Sequence, residues 1–250
     1  VDVGSGGDDG VHNGSGSGCG GGSGGRGRPA RRRRRRHHLR RRRRRRRGSS
    51  GAGLGRRGVR VVAVALHALR EEVAPLLRER EAIPPLGKIS PDHRRIASTP
   101  AWKSFFFEGY GYQAKDNQAR CPKIVEAIRS VPGVVVAFLS IMEPGTHVPQ
   151  HRGLTKAWLN CHLPLSLPQT PGRCEIAING QIHHWREGEW LVFDETFPHE
   201  VWNLASEPRL VLFLQVKRAM KLPGRMLSSA IYQAIRHSSF VGDVKRAVGA

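Results

Sequence analysis

The chain has 250 residues and a formal net charge of +22, with a pI near 11.4. The excess is local: residues 1–58 hold 18 Arg against 3 Asp, a net of +15, which leaves only +7 for residues 59–250. The pI therefore describes the first quarter of the chain and does not make the remainder a nucleic-acid binder.

Four cysteines (Cys19, Cys121, Cys161, Cys174) are scattered with no C-x-x-C, which excludes both a disulfide framework and a zinc pattern. They read as free thiols, with Cys161 and Cys174 open to facing each other across strands. No run reaches the ~18–20 apolar residues that span a bilayer. The nine apolar-rich residues Val61–Leu69 follow an Arg-rich, acid-poor segment, as in a transit peptide or uncleaved signal, but the compartment is not legible.

Residues 1–58 are mostly Gly, Ser and Arg and offer almost no large apolar side chain to offset the entropy of ordering, so a disordered tail is expected. Its two Arg runs, Arg31–Arg36 and Arg40–Arg47, fit either a phosphate-binding arm or low-complexity sequence without a role. Nucleic acid is expected as a partner only through this tail. Val61–Arg80 has apolar residues at helical spacing, with Glu71 and Glu72 on a solvated face and Pro84-Pro85 as the stop.

Trp102–Tyr112 is aromatic and strand-like, Pro122–Ser130 is a short amphipathic helix, and Val134–Met142 is a buried strand. Short strand segments follow: Trp158–Leu165, Cys174–Ile178, Gln181–Trp185, Trp190–Phe193, Glu200–Asn203 and Leu210–Val216. Asn179-Gly180 marks a tight hairpin because both positions require positive φ. Pro223-Gly224 reads as a turn, and Met226–Arg236 as a closing helix. Many short strands at this spacing predict a mainly β fold, a double-stranded β-helix or jelly roll of cupin type with flanking helices.

Most of the twelve histidines have structural explanations. His147 and His151 are four apart, but Pro144, Gly145 and Pro149 forbid a helix, so the metalloprotease arrangement is rejected. His183 and His184 are adjacent in a strand and point to opposite faces. His67 reads as a helix-face residue. His151 and His199 each sit just after a turn at the edge of a strand, 48 apart, where a jelly roll can bring them together as ligands for iron, zinc, copper or nickel. Arg209 opens the next strand and either anchors a carboxylate or forms a salt bridge with Glu207 or another surface acid.

Three pieces, S-I-M-E-P-G-T-H-V-P-Q-H-R-G (Ser140–Gly153), C-H-L-P-L (Cys161–Leu165) and F-D-E-T-F-P-H-E-V-W-N-L-A-S-E-P-R-L (Phe193–Leu210), together resemble the aspartyl/asparaginyl β-hydroxylase family of Fe(II)- and 2-oxoglutarate-dependent dioxygenases. The resemblance covers about Trp102 to Lys217. It implies iron ligands at His151 and His199, and 2-oxoglutarate contacts at Trp102, Ser140, His162 and Arg209, with O2 as the second co-substrate. The family usually has Arg two residues before the matching His. Asn160 stands there in this chain, and Lys156 or Arg152 is a candidate substitute for the missing cation. Gly153 occupies the position of the carboxylate in an H-x-D facial triad, an omission that this family shares.

The implied activity is hydroxylation of an unactivated carbon, of an Asp or Asn side chain in a peptide or protein, with a lipid or small molecule as the alternative. A binding module without turnover is the competing class. Trp102, Trp158 and Trp202 are candidate walls, the last two read as simple packing. The expected organisation is a tail over 1–58 and a dioxygenase domain over 59–250, its motif-bearing core at 102–217.

Overall fold

The computed structural model describes residues 66–90 and 93–248. The tail and the segment Val61–Ala65 lie outside the described residues. So do the expectations placed on them: the disordered tail, its nucleic-acid binding and the 58/59 boundary.

The first helix, α1 (Leu66–Arg78), is followed by a 3-10 turn at Arg80–Ala82 rather than running on to the two prolines. A short α2 (Leu86–Ile89) leads into β1 (Trp102–Gly109) and β2 (Tyr112–Gln113). The stretch Trp102–Tyr112 is thus two strands around a turn, with Tyr110 and Gly111 both at positive φ (46° and 86°). Next come α3 (Lys115–Arg120) and α4 (Pro122–Arg129). α3 has no apolar periodicity and was not legible.

Among the described residues, ten strands form two antiparallel sheets. The larger has the order β2-β1-β3-β10-β5-β8, with β3 at Val134–Met142, β5 at Trp158–Ser166, β8 at Leu191–Phe193 and β10 at Arg209–Lys217. The smaller is β4-β9-β6-β7, with β4 at Thr146–His151, β6 at Cys174–Ile178, β7 at Gln181–His183 and β9 at His199–Asn203. This pair of facing antiparallel sheets is the expected jelly roll. The β6–β7 turn is the expected one, with Asn179 and Gly180 at φ 51° and 76°.

The two-residue alternation of a strand divides the large sheet cleanly. Leu139 and Ile141 of β3, Cys161, Leu163 and Leu165 of β5, and Leu210, Leu212, Leu214 and Val216 of β10 face α1 and α4 in one apolar cluster. Glu72 is not merely solvated there. Its two carboxylate oxygens accept from the backbone N–H groups of Lys123 and Ile124 at 2.8 Å, capping the open N-terminus of α4. The other parity faces the space between the sheets.

Cys161 and Cys174 sit in different sheets and are both free thiols. The chain closes with α5 (Leu222–Arg236) and α6 (Ser239–Val248). Pro223-Gly224 is no turn. Pro223 sits in the first helical turn of α5, where a missing N–H breaks no hydrogen bond. Among the described residues no helix is long and apolar enough to cross a membrane.

Candidate active site

A cavity of 680 Å³ opens between the sheets, and Trp102, Ser140, His151, Asn160, His162, His199 and Arg209 all line it. The alternation explains the convergence: Ser140, Asn160, His162 and Arg209 have the parity opposite to the helix-facing residues of β3, β5 and β10.

His151 ends β4 and His199 begins β9, and the two are register partners across the ladder. Their ring centroids are 4.1 Å apart. In each ring Nδ1 lies 2.9 Å from a backbone carbonyl two residues earlier, Pro149 for His151 and Phe197 for His199. A carbonyl can only accept, so each Nδ1 carries the proton and each Nε2 keeps its lone pair. Burial lowers the pKa of both, His199 to about 4 with the neighbouring His151 as second cause. Both imidazoles are therefore neutral at neutral pH, the state a metal ligand requires.

Arg209 is only 2% exposed. Its Nη2 donates to Ser140 Oγ at 3.1 Å, and Trp102 Nε1 donates to the same oxygen at 2.9 Å. With both lone pairs used, the Ser140 hydroxyl has its own proton left to donate. Among the described residues, Nε and Nη1 of Arg209 have no acceptor, nor has either ring nitrogen of His162 a partner. Burial brings Arg209 down to about 10, which still leaves it charged at neutral pH, while His162 is pushed well below its ordinary value by burial and by Arg209. The salt bridge with Glu207 does not form. The Glu207 carboxylate accepts from the backbone of Gln169 instead. A buried guanidinium without a counter-charge is costly, so this corner is built for an anion.

The histidine pair and this corner share one wall. The His199 ring packs 5.2 Å from Phe193, which lies 5.3 Å from His162. His162 stacks 6.1 Å from Trp185, over which the Arg209 guanidinium lies at 4.6 Å.

Neither candidate replaces the absent cation at Asn160. Lys156 is exposed, and Arg152 stands at the cavity rim with Nη1 donating to Thr196 O. Asn160 is instead part of a polar group that the sequence did not reveal. Gln215 Nε2 donates to Asn160 Oδ1 (3.2 Å) and to Glu195 Oε2 (2.8 Å), and Tyr110 donates to Gln215 Oε1 at 3.4 Å. Burial raises the Glu195 carboxyl to about 7 against the hydrogen bonds from Gln215 and Asn160. The available signal was Gln215's parity with Arg209 on one strand.

Glu195 also explains Gly153. A Cβ there would lie 2.3 Å from the Cγ and Cδ of Glu195, so no triad carboxylate fits at that position. Among the described residues no third His, Cys, Asp or Glu joins the pair.

Of the other candidates, Trp158 lines the cavity, but Trp202 lies outside it. Trp202 stacks on His147 at 5.5 Å and carries Arg173 on its ring at 3.6 Å. His147 pairs with Glu200, and His67 with Glu71 at the surface.

The family model of the aspartyl/asparaginyl beta-hydroxylases matches residues 65–219. The chain belongs to the aspartyl/asparaginyl beta-hydroxylase family. Its relatives include the ornithine lipid ester-linked acyl 2-hydroxylase of Rhizobium tropici, 34% identical over 174 residues, which are 70% of this chain and 62% of that protein. The human aspartyl/asparaginyl beta-hydroxylase is 31% identical over 52% of this chain and 18% of its own length. Aspartate beta-hydroxylase domain-containing protein 2 of Xenopus tropicalis is 30% identical over 59% of this chain and 43% of its own length. The chain thus spans less than two thirds of each of these relatives. Among solved structures, a Pseudomonas putida prolyl-4-hydroxylase aligns with TM-score 0.39 and 17% identity over 63% of this chain and 88% of that one. That likeness is too distant to bear on function.

Proposed function

We propose that this family member is an Fe(II)- and 2-oxoglutarate-dependent dioxygenase that hydroxylates an unactivated carbon, with an acyl chain as the substrate class. The observation that carries the chemistry is the histidine pair, neutral and with both Nε2 lone pairs uncommitted, on the same wall as a buried guanidinium that pairs with no carboxylate among the described residues. The residues fit the implied groups. His151 and His199 would hold iron through Nε2, and Arg209 with the Ser140 hydroxyl would hold the distal carboxylate of 2-oxoglutarate. Trp102 fixes Ser140, and His162 would donate one N–H to the near carboxylate. Bound there, iron with 2-oxoglutarate and O2 supplies the oxidising power for the C–H bond, releasing succinate and CO2. Phe193 and Trp185 keep water from the wall between the two anchors.

The rest of the cavity favours an acyl chain over the Asp or Asn side chain that the family name suggests. Phe106, Phe138 and Phe213 stack across β1, β3 and β10 with centroids 4.7 and 4.5 Å apart. Trp158, Val136, Ile235, Val241 and Val244 extend the apolar lining. Against these aromatic and aliphatic side chains a hydrocarbon chain loses only water, whereas a carboxylate or amide substrate would depend on the polar lining residues, among them Arg95, Arg152 and Gln215. The relative from Rhizobium tropici, named for an acyl group, is consistent with this choice.

The test couples O2 uptake to succinate release over a panel of acyl compounds and Asp/Asn peptides, with iron content measured in parallel. Acyl-dependent turnover is expected, with His199→Ala losing both iron and turnover. Full turnover in that variant would remove the ligand assignment. Iron-dependent 2-oxoglutarate binding without decarboxylation on any substrate would leave the binding module, with Asn160 in place of Arg as its origin.

A further inference from the structure

Helix α5 has two apolar faces, and the protein uses one. Ile231, Tyr232 and Ile235 pack against the cluster beneath it, and Ile235 also lines the cavity. On the opposite side Leu222, Met226 and Leu227 are 61%, 68% and 63% exposed. At about 100° per residue these three, with Pro223, Ala230 and Ala234, sweep an arc of about 140°. Gln233 is the sole polar residue within that arc. Scattered exposed apolar residues are ordinary, but an apolar arc interrupted by a single polar residue marks a surface that meets something.

The charges around the arc say what that is. From Pro208 to Gly242 the sequence has no Asp or Glu, while residues 217–236 carry Lys217, Arg218, Lys221, Arg225 and Arg236. Arg218 is held by Asp194, and the Lys217 ammonium lies over the Tyr232 ring. Lys221 and Arg225 stand exposed beside Leu222 and Met226. A second copy docking here through a two-fold contact would set these cations against their own duplicates. The Arg-rich first quarter of the chain, at +15, would be repelled in the same way. The complementary partner is anionic. An apolar arc flanked by Lys and Arg on a helix is the pattern of one that lies in a membrane interface.

We propose that the outer face of α5 docks on an anionic lipid bilayer. Leu222, Met226 and Leu227 enter the acyl boundary while Lys221 and Arg225 meet headgroup phosphates. Ile235 of the same helix and the neighbouring Val241 and Val244 of α6 line the cavity, so acyl chains reach the cavity from the membrane. That last step rests on the acyl reading above. The docking itself does not.

The experiment uses the full chain with phosphatidylglycerol or phosphatidylcholine vesicles. A Met226→Trp variant places a reporter on the arc. Relative to wild type, its added emission should be quenched by roughly half or more when the phosphatidylglycerol acyl chains are brominated, and unaffected by phosphatidylcholine vesicles. No added quenching overturns the docking, because the Arg-rich segment alone could hold the protein near the surface without burying residue 226. In co-sedimentation, Leu222→Ser/Met226→Ser/Leu227→Ser should weaken phosphatidylglycerol binding about tenfold or more. Unchanged binding overturns the proposal, as does unchanged binding with loss of self-association in sedimentation velocity, which would make the arc a contact between copies. The triple variant should match wild type on a short, water-dispersed acyl substrate and fall behind on the same acyl group in vesicles. If wild type turns over neither, the acyl reading fails, and the quenching still decides the docking.

Discussion

The two faces of the large sheet are made by the same strands and do opposite work. On β10 the helix-facing parity is Leu210, Leu212, Leu214 and Val216, all closely buried. Of the opposite parity, Arg209, Phe213 and Gln215 line the cavity, and the polar atoms of Arg209 and Gln215 lack or share partners. One face satisfies itself completely and holds the fold together. The other keeps donors and a buried carboxyl in apolar surroundings, an arrangement that weakens the fold and suits a ligand. Stability and function are thus separated by a single step along the chain.

Substitutions on the two parities should separate accordingly. Leu212→Ala removes a side chain from the packed face and should lower unfolding free energy by about 2–5 kcal/mol, read by denaturant titration. Its 2-oxoglutarate affinity per folded molecule should be unchanged. A loss of affinity as large as the loss of stability would erase the distinction.

The next effect comes from Glu195 on the cavity side. Its carboxyl is raised to about 7 from 4.5, so the native state holds a proton that the unfolded chain releases. This contribution is full below about pH 4.5 and is lost as pH rises through 7, roughly 3 kcal/mol in all. Glu195→Gln should flatten that slope in urea midpoints measured from pH 4 to 8.

Arg209→Met should weaken 2-oxoglutarate binding about a hundredfold by calorimetry. The ligand-free melting temperature should stay level or rise, since a buried cation without a counter-charge is replaced by an apolar chain. A clear drop would mean that Arg209 stabilises the fold. The smallest change is expected at Trp202→Ala, outside the cavity, with at most about 1 kcal/mol from the lost Arg173 and His147 stacking and no change in turnover.

Parts of this organisation are legible in the sequence for identifiable reasons. The strand Val134–Met142 is visible because eight of its nine residues are apolar and four of those are β-branched, which leaves no other element to choose. The Asn179-Gly180 turn is visible because few residue pairs tolerate two positive φ values in succession. Strand β4 is hidden because two of the residues around its motif are prolines. α6 is hidden because Val241 and Val244 alone make too short a pattern. Glu195 lies within a quoted motif, yet nothing in that motif distinguishes it from Asp194 beside it. Asp194 pairs with Arg218 while Glu195 turns inward to Gln215.

By itself the sequence determined the alternating strands, their turns, and the residue types at His151, His199 and Arg209, since local periodicity and turn chemistry depend only on near neighbours. Which strands pair, and hence that the two imidazoles become register partners, was decided by the tertiary structure alone. So was the filling of the space beside Gly153 by Glu195, and the outward turn of the second apolar face of α5. Each of these depends on contacts between residues far apart in the chain, and no window of neighbours contains them.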